Sequence, residues 1–271
     1  MRKVPGNLQM RSLLILAGIV ALVLVGIGIA VVPNPLGAAV AGALHDATMD
    51  STLTYRVQVW SDVPLSDLEL IVPLPAGPGG EAIVDALSRG DVEEWPEGWQ
   101  LTILEADTLT MLKIQADRFG EAPGDRATLQ GLVQTARSRL SRGPGEEDLI
   151  VKVRPGRSIA TEAPEGKEPL FQPRYNLTAS GCGCSFNAEG DRTGRFVYDS
   201  PVFTGFRSPE NATVGVWVQV RGVNRWWAYH WSSNYYSDSL RLVATDGSAR
   251  WIPASGVQTE NKGRYGRPTS F

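Results

Sequence analysis

Ser12–Val32 reads SLLILAGIVALVLVGIGIAVV, with no charge, no amide side chain and no proline. A helix rises about 1.5 Å per residue, so crossing a hydrocarbon core of about 30 Å takes roughly 20 apolar residues. The stretch has that length, and a helix satisfies its own backbone in lipid without a partner. Pro33-Asn34-Pro35 follows and stops it. Arg2, Lys3 and Arg11 precede the span, and the next basic residue is Arg56. The positive-inside rule then puts residues 1–11 in the cytoplasm and everything after the span outside. A cleaved signal peptide is the rival reading, with Ala41-Gly42-Ala43 as the cleavage site. Its apolar region would run only about 7–15 residues, so the length favours a retained anchor at the cell membrane. Gly18, Gly26, Gly28 and Ala30 suit close helix packing, but glycine is common in any membrane helix. Residues 33–50 are small and apolar and read as a stalk or a prolongation of the helix.

Beyond Arg2, Lys3, Arg11 and Asp46 the chain carries 23 basic and 28 acidic residues, with no block of like charge. That excludes the electrostatic footprint of a nucleic-acid binder and of an anionic-membrane binder. Eighteen prolines and 29 glycines punctuate short Val-, Thr- and Trp-rich runs, which predicts many strands joined by turns. The fold class expected is mainly β: an antiparallel, sandwich-like ectodomain with one or two short helices.

Thr52–Trp60 alternates Leu53, Tyr55, Val57 and Val59 with Thr54, Arg56 and Gln58, the period of a half-buried strand. Asp67–Leu74 does the same through Leu68, Leu70, Val72 and Leu74, with Pro73 and Pro75 putting its end at an edge. Ala76–Gly80 is a loop without the Lys-Ser/Thr that a phosphate-binding loop needs. Glu81–Ser88 predicts a short helix with Ile83, Val84 and Leu87 inward and Gly90 past its end. Trp99–Leu104 and Leu109–Ala116 predict a hairpin, Arg126–Leu140 a helix, and Leu149–Val153 a strand. Arg154–Pro173 is charged, proline-rich and aperiodic. Residues 156–173 are therefore either a linker between β-rich modules at 51–155 and 174–271 or a long loop across one sandwich.

Arg195–Tyr198 and Val202–Phe206 predict strands. Val214–Val220 and Trp226–Trp231 predict a hairpin over Gly222-Val223-Asn224-Arg225. A two-residue loop at Val223-Asn224 pairs Val220 with Trp227, Val218 with Tyr229 and Val216 with Trp231, which makes one face wholly apolar. The other face then carries Trp217, Gln219, Arg221, Trp226, Ala228 and His230. Leu240–Thr245 and Ser248–Ile252 predict a second hairpin on Asp246-Gly247. The fragments ELIVPLP (Glu69–Pro75), MLKI (Met111–Ile114), NLT (at Asn176) and VRGVNRWWAYHW (Val220–Trp231) resemble uncharacterised archaeal single-pass, membrane-anchored surface proteins. The resemblance implies an extracytoplasmic β-rich fold and assigns no functional residue.

Asn176-Leu177-Thr178 and Asn211-Ala212-Thr213 are glycosylation sequons on the external side. Cys182-Gly183-Cys184 holds both cysteines, expected oxidised outside the cell. A bridge this tight stores strain, so a redox role is conceivable. No neighbouring base lowers a thiol pKa, which favours a structural disulfide within the chain or between copies. Zinc lacks ligands, since the only histidines are His45 and His230. Asn187, Glu189 and Asp191 alternate like calcium ligands but lack the distal Glu, so a solvated turn is preferred. No metal or cofactor is expected. His230 with Asp238 or Ser239 suggests a general base, without a hydrolase motif around it.

Trp217, Trp226, Trp227, Tyr229, Trp231, Tyr235 and Tyr236 crowd one region. A core accounts for Trp227, Tyr229 and Trp231. Trp217, Arg221, Trp226, Tyr235 and Tyr236 remain as a binding patch for a glycan or a surface protein, with Arg221 stacked on Trp226. The function expected is a non-enzymatic envelope-binding or structural module, with the bilayer as a partner through residues 12–32 and no nucleic acid. An extracellular hydrolase or redox protein using His230 or Cys182/Cys184, and a surface-filament subunit, are the alternatives.

Overall fold

A computed structural model describes residues 35–106, 109–120, 145–180, 193–208, 211–227 and 231–261. The proposed span Ser12–Val32, the helix expected at Arg126–Leu140, and Cys182, Cys184, Asn187, Glu189, Asp191, Tyr229 and His230 lie outside these. No helix among the described residues is long and apolar enough to cross a membrane. The chain divides into two compact units.

In the smaller unit the residues expected as a stalk form helix α1, Pro35–Thr48. Its last turn meets Trp226 and Trp227. The His45 ring lies 5.2 Å from the Trp226 ring, and Thr48 Oγ1 accepts the Trp227 N–H at 2.8 Å. His45 and Trp226 are both buried.

The larger unit is one antiparallel, curled sheet. Its strands are β1 (Asp50–Ser61), β2 (Leu65–Pro73), β4 (Trp99–Ala106), β5 (Leu109–Phe119), β6 (Gly145–Val153), β8 (Tyr175–Ala179), β9 (Thr193–Arg207), β10 (Val214–Trp227), β11 (Trp231–Ala244) and β12 (Arg250–Asn261). They run in the order β4-β5-β2-β9-β12-β11-β10-β1-β6, with β8 also on β9. A separate pair joins β3 (Pro75–Ala76) to β7 (Leu170–Phe171). Helix α2, Gly80–Arg89, ends on Gly90 in the left-handed conformation and buries Ile83, Ala86 and Leu87. β1 buries Leu53, Tyr55, Val57 and Val59, and β2 buries Leu68, Leu70 and Val72, with Leu74 buried just past its end, as the alternation predicts. The β4–β5 hairpin forms as expected. The curl shows where Tyr55 on β1 donates its hydroxyl to Pro73 O on β2, since these strands stand far apart in the sheet order.

Three expectations change. Arg195–Tyr198 and Val202–Phe206 belong to one strand, β9. Val214–Val220 and Trp226–Trp231 are not a hairpin about Val223-Asn224, because β10 runs unbroken to Trp227. The β11–β12 connection is longer than Asp246-Gly247: Leu240 pairs with Gly256 and Arg241 with Ser255. Strands from 51–155 and 174–271 also interleave, with β9 beside β2 and β10 beside β1.

The aperiodic segment 154–174 lies against the sheet's inner face and is tied there by polar side chains. Asn224 on β10 accepts the Ile159 N–H at 2.9 Å and donates to Ile159 O at 2.8 Å. Glu168, fully buried, takes Arg157 at 2.6 and 3.0 Å and the Ala160 N–H at 2.7 Å. Tyr236 donates to Pro169 O at 3.0 Å. Asp238 on β11 accepts the Phe171 N–H at 2.9 Å, Arg174 at 2.6 Å, and the Tyr198 hydroxyl from β9. Arg174 also donates to Gln258 on β12 at 2.6 Å. Side-chain exposure is 4% for Arg174 and 0% for Asp238. Removing one partner of such a pair strands the other charge in the core. Asp238→Ala should therefore lower stability by about 3–5 kcal/mol, measured by urea denaturation of the full chain in micelles.

Candidate binding face

A strand of even alternation shows one set of side chains inward and the other outward. On the outer face β1 presents Thr54, Arg56, Gln58 and Trp60, and β10 presents Trp217, Gln219 and Arg221. The register places Gln58 beside Trp217, Arg56 beside Gln219, and Thr54 beside Arg221. β11 adds Tyr235, Ser237, Ser239 and Arg241 on the same side. Arg56 comes from β1 to 5.2 Å from the Trp217 ring, and Arg241 comes from β11 to 5.8 Å. Arg221 stands 4.6 Å over the Tyr235 ring. Each such contact stabilises by about 0.5–1 kcal/mol when exposed and holds the guanidinium flat. The Trp217 Nε1 is buried without an acceptor.

Between the rings lie neutral hydrogen-bonding groups, with Gln219 Nε2 donating to Ser237 Oγ at 2.9 Å and Gln58 Nε2 to Glu146 Oε1 at 2.7 Å. Arg56 is engaged twice by the buried Asp148 of β6, at 3.0 and 2.6 Å, and that hydrogen-bonding raises the Arg56 pKa from its ordinary value. Trp60, 39% exposed, continues the aromatic surface. It lies over Gly215, where a Cβ would overlap the indole.

The five residues singled out in the sequence do not share one face. Trp217, Arg221 and Tyr235 sit together outside. Trp226 and Tyr236 are buried, at 1% and 0% exposure. Arg221 therefore stacks on Tyr235, and Trp226 packs on His45. A two-residue turn would have put Trp226 on the face of Trp217. In an unbroken strand residues 217 and 226 differ in parity, so they face opposite ways. Tyr235 and Tyr236 are neighbours in a strand and diverge for the same reason. Trp231, expected in the core, is exposed. Arg56, Trp60 and Arg241 were missed, although the outward parity of Arg56 on β1 is readable from the alternation alone.

The sequons are exposed: Asn176 on β8, donating to Asp199 at 2.9 Å, and Asn211 ahead of β10. Among the described residues no cluster of His, Cys, Asp or Glu suits a metal ion. A notch of about 340 Å³, lined by Met111, Pro173, Tyr175, Pro201 and Trp251 among others, opens where β9 exchanges β2 for β8. It is almost wholly apolar.

Asp238 and Ser239 cannot serve one base together, because they occupy opposite faces. Asp238 is committed to Arg174, Tyr198 and Phe171, and Ser239 Oγ donates to Val257 O at 3.3 Å. Burial pushes the Asp238 pKa up, against the pull of Arg174 and its other donors. No protein family, curated protein or solved structure matches the chain.

Burial also drives the phenols of Tyr55, Tyr198 and Tyr236 far above their ordinary value of about 10. The folded state keeps protons that the unfolded state releases above that pH. Their contribution is fully present below about pH 10 and is lost above it, at about 1.4 kcal/mol per pH unit for each phenol. Melting temperature measured from pH 8 to 11.5 should fall steeply beyond about pH 10, and less steeply in Tyr198→Phe.

Proposed function

We propose that the chain is a membrane-anchored, extracytoplasmic binding module without enzymatic activity, and that the outer face of β1, β10 and β11 holds a glycan chain. The observation that carries this reading is the outward-facing ladder of Arg56, Trp217 and Arg241 beside Arg221 and Tyr235, with half-buried rings and with Arg221 and Arg241 exposed. Sugar rings present C–H surfaces that stack on aromatic faces and rims of hydroxyls that need donors and acceptors. The face offers both, with Trp60, Trp217 and Tyr235 among Gln58, Gln219, Ser237 and Ser239. The side chains rise from strands of a curled, well-packed sheet, which supports a site assembled before its ligand arrives.

The anchor part of the proposal rests on Ser12–Val32 and on the basic residues ahead of it. Asn176 and Asn211 are then on the side where glycosylation occurs, and both are exposed. The aromatic notch at Trp251 has fewer polar neighbours and suits a sugar less well.

Two measurements test this. The full chain should stay with membranes through an alkaline carbonate wash, with its C-terminal part open to protease added outside; release by the wash would remove the anchor. In micelles, the full chain should be retained by at least one immobilised polysaccharide of a mixed panel. Trp217→Ala should weaken that retention about tenfold or more, equivalent to at least about 1.4 kcal/mol. Retention by none of the panel would end the glycan reading.

A further inference from the structure

We infer that the glycan taken by this face is an acidic one, an extended chain bearing carboxylate or sulfate groups at intervals; this rests on the glycan reading above. The three outward guanidiniums are not equivalent. Arg56 already spends its charge on Asp148. Arg221 and Arg241 are exposed, and neither has a carboxylate partner among the described residues. Each is nonetheless held over a ring, Tyr235 for one and Trp217 for the other, so its donors are presented in a set direction. Guanidinium forks match carboxylate and sulfate oxygens two at a time. The carboxylates at the β6 side of this face are already engaged, Asp148 by Arg56 and Glu146 by Gln58, so cations held without a carboxylate of their own call for anions brought by the ligand.

The spacing sets the kind of anion. Arg221 lies across from Tyr235, and Arg241 is six positions further along β11, about 20 Å at the rise of a strand. One small anion cannot meet both. A chain with repeated charges can, running along the outer edges of Trp217 and Tyr235 from one guanidinium to the other, with its hydroxyls over Gln219, Ser237 and Ser239. The chain as a whole carries a net charge of −3, so it has no general attraction for polyanions. At physiological salt screening reaches about 8 Å, so each guanidinium acts on the group directly above it. Selectivity then comes from charge and ring stacking together.

The test uses the full chain in micelles with four probes: polygalacturonate, a sulfated galactan, a neutral galactan and single-stranded DNA of matched length. An acidic polysaccharide should bind about tenfold or more tighter than the neutral one. Its affinity should fall with added salt, with a log–log slope no steeper than about −2. Arg221→Gln and Arg241→Gln should each remove most of the acidic preference, read as the ratio of acidic to neutral affinity, with melting temperature confirming the fold. Preference for the polyuronate or for the sulfated chain would tell which anion the face takes. Equal or tighter binding of the neutral galactan would overturn the acidic assignment while leaving the glycan reading standing. DNA binding as tight as the acidic chains would overturn it as well. Loss of every polysaccharide together would remove both.

Discussion

An ion pair closed off from water governs the larger unit. Arg174 and Asp238 meet at 2.6 Å on the inner side of the sheet. A buried carboxylate is tolerable only when its lone pairs are filled. Here the Phe171 N–H, the Tyr198 hydroxyl and Arg174 fill them, and Arg174 reaches on to Gln258. One cluster thereby ties β9, β11 and β12 to the segment that enters through β7. Phe171, held by this cluster, packs its ring edge-on to Tyr55 of β1. The apolar interior and the polar cluster are thus parts of one closure.

That closure has a consequence for function. The inner face is covered by the chain's own segment, whose ties engage Asn224, Tyr236 and Asp238. The proposed binding face is the outer one, and its side chains are aimed by the strands beneath them. Arg56 illustrates the division of labour: its tip answers Asp148 while its plane flanks Trp217.

Much of the sheet is legible residue by residue. β1 and β2 show strict alternation, and α2 shows an apolar stripe closed by Gly90. Gly222-Val223-Asn224-Arg225 misleads because glycine and asparagine have two uses. They look like a turn when only neighbours are considered. In the fold, Gly222 makes room for the Tyr236 ring, where a Cβ would overlap it, and Asn224 holds the backbone of Ile159. Both are long-range contacts, so no local pattern announces them. The segment 154–173 is opaque for a similar reason. Its charged and proline residues have no period, because its partners Asn224, Tyr236 and Asp238 belong to strands placed later in the chain.

The sequence alone carries the apolar alternation, the helix stop at Gly90, the predominance of strands and the aromatic richness of residues 217–236. These are local, since side-chain direction follows from position within an element. Which aromatics face outward waited for the fold. Parity can be counted only once a strand's ends are known, and β10 runs on through Gly222, where Tyr236 and Ile159 pack against it. Trp217 and Tyr235 thereby came to the surface, and Trp226 and Tyr236 went inside.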